Sequence, residues 1–190
     1  MTSFRPVDEP TTRTLRIVSR FIEHLTSRGG GGSGTPPEPR GVVNFSGLTS
    51  SGSAIGDLTG YGPLIKARTA LRTVNSDVTA YIMSPRDDGQ LAGLTATDGQ
   101  PINVPPAIAN VPRLTTSKIP TNLGVGTNES VILAGDWSRL MVGVRTAITI
   151  TVLRERYADN YQYGFLAAMR ADIAAEQEAA FTKLTGVTIP

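Results

Sequence analysis

The sequence predicts an α+β fold in which short helices and strands follow one another irregularly. Three observations predict it: helical periodicity near the start, short runs of β-branched residues further on, and the lack of an internal repeat or of regular βαβ alternation. At 190 residues the chain can bury a sizeable core, in one domain or in two lobes of one subunit. Its 20 glycines and 13 prolines indicate extensive turns and loops.

The first helix is predicted over residues 12–27, where apolar side chains recur at helical spacing and arginines face the other side. It ends at a glycine run, 29–34, which leads into a stretch rich in proline. A second helix is predicted over 63–74, because Pro63 suits the first turn of a helix. Both predictions rest on local pattern alone.

Strands are predicted where short apolar runs rich in β-branched residues occur. These runs are 78–83, 113–119, 130–134 and 147–153, the last being the strongest, and 42–45 is expected to be a strand or an extended stretch. Residues 88–110 are expected to form a long loop, with at most a helical turn or two around 86–94. Residues 136–142 are expected to form a turn with a short helical or extended piece. The segment 165–178 fits both helical and strand periodicity, and its propensity favours a helix.

Composition and charge exclude several classes of protein. The chain has no cysteine, which excludes disulfides, thiolate metal sites and thiol nucleophiles. No apolar window approaches the roughly 20 residues of a membrane span, and the first ten residues lack the apolar core of a signal peptide. The net charge of +2 comes from scattered arginines and lysines that form no basic stripe. A nucleic-acid-binding protein is therefore not indicated.

The residues that carry chemistry show no catalytic pattern. His24 is the single histidine and lies within the first predicted helix. A histidine-based metal site would need a second histidine, and no serine stands in a nucleophile motif with which His24 could act as a base. The glycine run follows a helix and leads into prolines, whereas a phosphate-binding loop follows a strand and opens a helix. Asp87, Asp88, Asp98 and Asp136 are expected to accept hydrogen bonds from turn backbone. No enzyme activity, cofactor or metal is predicted.

The order of short motifs along the chain is more specific than any one of them. The glycine run is followed by eight motifs in a fixed order. They are Pro37-Glu38-Pro39-Arg40-Gly41-Val42, Met83-Ser84-Pro85-Arg86-Asp87, Asp98-Gly99-Gln100-Pro101, Ser117-Lys118-Ile119-Pro120, Ala134-Gly135-Asp136-Trp137, Arg154-Glu155-Arg156-Tyr157, Met169-Arg170-Ala171-Asp172 and Ala180-Phe181-Thr182-Lys183-Leu184. In this order the chain resembles the tailed-bacteriophage major capsid family over residues 12–190. The coat fold of that family is named after phage Hong Kong ninety-seven and is shared with encapsulins and gene-transfer-agent heads.

The resemblance implies a division of the chain between the two domains of the coat fold. Residues 1–54 would hold the end of the spine helix and the glycine-rich turn, as part of the peripheral domain. Residues 55–145 would form the axial domain, whose loops gather around five-fold and six-fold axes. Residues 146–190 would return into the peripheral domain, and family precedent turns 165–178 towards a helix followed by a strand.

The family also carries an N-terminal arm, an extended hairpin loop and the first half of the spine helix ahead of this point. Eleven residues before Thr12 leave no room for them, so an N-terminally truncated form is expected: a prophage remnant, a split gene product or an engineered truncation.

The function implied by the resemblance is that of a structural subunit of an icosahedral phage head. Copies of the chain would associate into pentamers and hexamers of a shell, together with other phage head proteins, and enclose double-stranded DNA without reading its sequence. The protein would be located in the virion, and in the host bacterial cytoplasm during assembly, with no membrane partner. The side chains proposed to contribute to subunit interfaces are aromatic or cationic. They are Arg16, Arg20, Trp137, Tyr157, Tyr161 and Tyr163.

Two alternatives remain open at this stage. An encapsulin-like nanocompartment shell has the same fold and cannot be separated from a phage head by the residues alone. A small metal- or ligand-binding domain would use the carboxylates between Asp87 and Asp98, for example on calcium, although their spacing fits no known ligand loop.

Overall fold

The computed structural model describes residues 40–153 and 164–189, which form a six-stranded mixed sheet, three helices and a long two-stranded ribbon. The strands of the sheet are β1 (Thr49–Ser50), β2 (Gly56–Asp57), β3 (Ala80–Met83), β4 (Arg113–Thr115), β5 (Ser130–Gly135) and β8 (Phe181–Thr188). They lie in the order β1-β8-β5-β3-β4, and β2 also pairs with β8. The ribbon consists of β6 (Leu140–Leu153) and β7 (Gly164–Ala175).

The helices are α1 (Gly62–Thr73), α2 (Pro85–Ala92) and α3 (Pro106–Ala109). Helix α1 forms where the sequence predicts it, because a proline stands in its first turn and apolar residues recur at helical spacing. It buries Leu64, Ala67 and Leu71 completely against the sheet. Among the described residues, no helix has the length and apolar content needed to cross a membrane.

The two central strands are buried on both faces, and this explains why β3 and β5 are apolar at successive positions. One face of the sheet carries Tyr81 and Ile132 into a core beneath α1 and α2, which we call the helix-side core. The other face carries Ile82 and Leu133 into a second core around Trp137, which we call the Trp137 core. Burial raises the pKa of Tyr81 to about 12, so its phenol stays protonated and donates a hydrogen bond of 3.0 Å to the Leu64 carbonyl.

Most of the predicted strands are confirmed, and three local predictions are wrong. Residues Val42–Asn44 form a turn of 3-10 helix instead of an extended stretch. The helical turn or two expected around 86–94 is confirmed as α2, but the rest of the loop predicted over 88–110 also contains the short helix α3, which was not expected. The segment 165–178 is almost entirely strand β7, because it pairs antiparallel with β6 over the whole ribbon. The predicted helix over 12–27, His24, the glycine run and the tyrosines at 157, 161 and 163 lie outside the described residues.

The last strand returns to the centre of the sheet. Strand β8 lies between β1 and β5, with Phe181 opposite Gly135 and Val187 opposite Ser130. Gly135 allows this close approach, since a Cβ atom there would stand 2.5 Å from a ring carbon of Phe181. Residues 146–190, predicted as one return segment, are therefore divided between the ribbon and the sheet. Strand β1, which lies before the boundary predicted at residues 54 and 55, also belongs to this sheet.

The loop after α1 is held by an ion cluster that makes stability depend on pH. The Asp77 carboxylate receives hydrogen bonds from Arg68 (Nε, 2.8 Å) and Arg72 (Nη2, 2.8 Å) and from the backbone N–H of Val78. The hydrogen bond from Arg68, with further help from Arg72, lowers the pKa of Asp77 well below its ordinary value. A carboxylate whose folded pKa is depressed stabilises the protein above its unfolded pKa and loses this contribution as the pH falls.

We therefore expect Asp77→Asn to lower the free energy of unfolding by about 1 kcal/mol at pH 7, a modest value because the carboxylate is partly exposed. The difference from the wild type should shrink as the pH falls below about 4, where Asp77 becomes protonated in the unfolded chain. Urea denaturation at pH 7 and pH 3 measures both values. A difference of equal size at the two pH values would contradict this account of Asp77.

Candidate assembly surface

The two-stranded ribbon carries most of the exposed apolar surface of the described residues. Of thirteen large hydrophobic side chains that are exposed, nine lie on β6 or β7. These nine are Met141, Val142, Val144, Ile148, Ile150, Val152, Phe165, Leu166 and Met169. Apart from each other, β6 and β7 make only weak contacts with the other described elements. Because a two-stranded hairpin on its own is marginally stable in water, this ribbon requires a partner surface.

The apolar side chains are concentrated on one face of the ribbon. In strand β7 the odd-numbered residues share a face, and from Phe165 to Ala175 every one of them is apolar. The register places Ile150 opposite Ala167 and Val152 opposite Phe165 on that same face. The other face includes Thr149, Thr151, Arg170 and Asp172, together with Leu166. We call the side that carries Ile150, Val152, Phe165 and Met169 the apolar face of the ribbon.

At the base of the ribbon the apolar face packs against the core, and towards the other end of the ribbon it becomes exposed. Ile173, on this face, is buried in the Trp137 core, and Leu140 and Ala175 at the base of the ribbon pack against the same core. Further out the exposed fraction rises to 65% at Ile150 and 72% at Phe165. The pairing of β6 with β7 also has two irregularities, which lie between Val144 and Thr149. The base therefore anchors the ribbon and the outer part offers it to another surface.

The residues predicted to form subunit interfaces are not brought together in the described structure. Trp137 is the only one that lies within it, and its side chain is 4% exposed. The indole Nε1 donates a hydrogen bond of 2.8 Å to the Ala80 carbonyl, and the ring packs edge-on against Phe181 at 5.4 Å. A side chain buried in this way has almost no area left for a neighbouring subunit, so the structure makes Trp137 a core residue. Arg16, Arg20, Tyr157, Tyr161 and Tyr163 lie outside the described residues.

The carboxylates singled out in the sequence, as turn acceptors or as metal ligands, have partners within the protein. Asp87 is fully buried at the start of α2 and accepts a hydrogen bond of 2.6 Å from the Ser130 hydroxyl. Asp136 accepts hydrogen bonds from the backbone N–H and the hydroxyl of Ser138, and Asp98 accepts one from the N–H of Gln100. Within residues 40–153 and 164–189, no three His, Cys, Asp or Glu side chains are grouped so that they could hold a metal ion.

The surface of the described residues also includes a narrow turn that the sequence analysis did not single out. Leu123 and Glu129 exchange two backbone hydrogen bonds, of 2.9 and 3.0 Å, across this turn, and the side chain of Val125 at its tip is completely exposed. The signal in the sequence is a valine between Gly124 and Gly126, because glycines flanking an apolar residue are typical of a tight turn.

Solved structures share this fold at low sequence identity. The capsid of an empty gene-transfer-agent particle aligns with a TM-score of 0.59 and 16% identity, over 94% of this chain and 67% of its own length. The capsid of Myoviridae phage XM1 aligns with a TM-score of 0.60 and 16% identity, over 95% of this chain and 66% of its own. The SrpI encapsulin of Synechococcus elongatus aligns with a TM-score of 0.52 and 14% identity, over 94% and 64%. The chain thus spans about two thirds of the length of these proteins.

A search of curated proteins finds no match to the sequence. The sequence model of the phage capsid family, in contrast, matches residues 21–186, which is most of the chain. Because this model covers more than half of the chain, the chain belongs to the phage capsid family, and it has the coat fold of the capsid structures described above.

Proposed function

We propose that this chain acts as a shell subunit that associates with copies of itself into the pentamers and hexamers of an icosahedral phage head. Membership of the phage capsid family supports a phage head over an encapsulin shell. The described residues supply contact surfaces rather than a reactive centre, and we propose that the chain has no catalytic role. We further propose that the six-stranded sheet belongs to the axial domain and the ribbon to the peripheral domain.

The observation that carries this proposal is the exposed apolar face of the ribbon. Fully burying a side chain such as isoleucine or phenylalanine stabilises a contact by roughly 1.5–3 kcal/mol, and Ile150 and Phe165 are each about two thirds exposed. A monomer that keeps such side chains in water forgoes this stabilisation, whereas a shell recovers it at every subunit contact. We therefore propose that a neighbouring copy of the chain covers the apolar face.

The wider setting follows from the same proposal. The shell would enclose double-stranded DNA without sequence-specific contacts, and other phage head proteins would complete the head. The protein would be assembled in the cytoplasm of a host bacterium and located in the virion afterwards. These partners and locations are what the family and the capsid fold support for such a subunit.

A charge placed on the apolar face is expected to weaken assembly. We expect Ile150→Asp to raise the protein concentration needed for assembly by at least about tenfold, because the new carboxylate would have to be buried without a partner. Sedimentation velocity over a concentration series measures the onset of assembly. The matched control is Thr151→Asp, which adds the same charge to the next residue of β6 on the opposite face of the ribbon and should have little effect.

Equal assembly of the two variants would contradict the role proposed for the apolar face. Thermal unfolding of the monomeric fraction provides a second readout, since Ile150 and Thr151 are both exposed and neither substitution should change the midpoint. A lower midpoint for Ile150→Asp with unchanged assembly would mean that a segment of the same chain covers the face, which would also contradict the proposal.

A further inference from the structure

The turn around Val125 is an apolar tip held out in solvent. Val125 has an exposed fraction of 106%, the largest among the exposed hydrophobic side chains of the described residues. Beneath it, Leu123 and Glu129 exchange their two backbone hydrogen bonds, and the N–H of Thr127 donates to the Gly124 carbonyl at 3.2 Å. We call residues 123–129 the Val125 turn. Full exposure of its side chain means that Val125 adds nothing to the packing of residues 40–153 and 164–189.

Arg86 holds the Val125 turn in place through hydrogen bonds to backbone carbonyls. The guanidinium Nη1 of Arg86 donates to the carbonyls of Asn128 (3.0 Å) and Thr121 (3.4 Å), which lie on either side of Val125 along the chain. Its Nε lies 3.3 Å from the buried carboxylate of Asp87, which in turn accepts from the hydroxyl of Ser130. A cation and two buried polar groups thus fix both ends of the turn, so little conformational freedom would be lost on binding.

The surface of the turn also has the chemistry of a contact between proteins. Residues 120–128 carry no charge, in a chain of which 18% of residues are charged. The side chain of Glu129 folds back over Gly124, where a Cβ atom would lie 2.2 Å from its carboxyl carbon. Apart from the Glu129 carboxylate beside Gly124, the turn has the low content of charged residues that is typical of the centre of an interface.

The Val125 turn and the ribbon lie at opposite ends of the sheet. Strand β5 begins at Ser130, directly after the turn, and ends at Gly135, a few residues before the ribbon starts. Strand β8 runs the other way, from Phe181 near the base of the ribbon to Val187 beside Ser130. Rings are built by heterologous contacts, in which one subunit presents two different surfaces to its two neighbours. A subunit with apolar features at both ends of its sheet meets this requirement.

We propose that the Val125 turn inserts into a neighbouring copy of this chain and forms a subunit contact separate from that of the ribbon. The contact rests on the proposed function, because it requires that the chain associates with itself. Val125 fills the centre of the contact, and the uncharged residues 120–128 exclude water there. Arg86 acts as a positioning residue that holds the turn in the shape the neighbour receives.

The test compares Val125→Asp with the wild-type protein by sedimentation velocity and negative-stain electron microscopy. We expect the concentration needed for assembly to rise by about tenfold or more, the effect of losing a central interface residue. Because Val125 is wholly exposed, the thermal midpoint of the monomer should not change. Val125→Ile keeps the apolar tip and should assemble as the wild type does. Thr69→Asp, on the exposed side of α1, is the matched control for the added charge.

Each outcome decides between the two proposals. If the wild type and Val125→Asp assemble at the same concentration, the contact at the turn is overturned and the function as a shell subunit stands. If the wild type stays monomeric at every concentration, the proposed function is overturned and the contact falls with it. If Thr69→Asp weakens assembly as much as Val125→Asp, the effect is one of net charge, and the contact at the turn is likewise overturned.

Discussion

Replacing Trp137 by alanine is expected to lower the free energy of unfolding by about 3–5 kcal/mol, the usual cost of removing a large buried aromatic side chain. The indole lies in the Trp137 core with an exposed fraction of 4%, packed edge-on against Phe181. The substitution leaves a cavity and also leaves the Ala80 carbonyl without the indole N–H that it accepts from. Urea denaturation followed by circular dichroism measures the loss, since Trp137 is the single tryptophan and its fluorescence disappears with it.

Trp137→Phe is the control that separates packing from hydrogen bonding. It keeps a ring against Phe181 and removes the N–H donor, so the expected loss is smaller, about 1–3 kcal/mol. If Trp137→Ala unfolds within about 1 kcal/mol of the wild type, the side chain is not part of the core. Trp137 would then return as a candidate for a subunit interface.

Replacing Arg86 by methionine is expected to lower the free energy of unfolding by about 3–5 kcal/mol, because it leaves the fully buried Asp87 carboxylate without its cation. Methionine keeps an unbranched side chain of similar length, so the change is mainly one of charge and hydrogen bonding. The carbonyls of Asn128 and Val187 also lose a donor. Urea denaturation measures the stability. Assembly should weaken too, since the Val125 turn loses its support.

The double variant Arg86→Met, Asp87→Asn tests the reason for that loss. Asparagine has nearly the same shape as aspartate and can still accept the hydrogen bond from Ser130, but it buries no charge. We therefore expect the double variant to be more stable than Arg86→Met alone. A double variant that is less stable than the single one would show that the unpaired Asp87 charge is not the cause.

Local patterns in the sequence predicted those helices whose signals lie within the helix itself or directly before it. Helix α1 was predicted because Pro63 is a local signal for the first turn of a helix, and the structure adds that Leu64, Ala67 and Leu71 form its buried face. The start of α2 also has a local signal, Ser84 before Pro85, whose hydroxyl accepts from the N–H of Asp87. The helical turn or two predicted around 86–94 is this helix, which has eight residues.

The ribbon shows where local reasoning fails. Strand β7 is rich in alanine, leucine, methionine and arginine, which favour a helix in isolation. It is a strand because β6, far more β-prone, pairs with it from Leu140 opposite Ala175 to Leu153 opposite Gly164. Tertiary pairing of this kind cannot be read from the propensity of one segment.

The sequence predicted that the protein works through a contact surface, but it did not predict which residues form the exposed apolar surface. The order of motifs indicated the capsid family, and hence a protein that works through contacts with its own copies. The aromatic character of Trp137 suggested an interface, but residue type alone does not distinguish a buried indole from an exposed one. The aliphatic side chains that the structure exposes, among them Ile150 and Val125, are residue types that a sequence places in the core by default.

The central claim is that this chain works by associating with copies of itself. Sedimentation velocity of the purified protein up to its highest soluble concentration, with negative-stain electron microscopy of the same samples, tests it directly. We expect a cooperative shift from a monomer to rings or closed shells as the concentration rises. A single monomeric species at every concentration, with no particles on the grid, would contradict it.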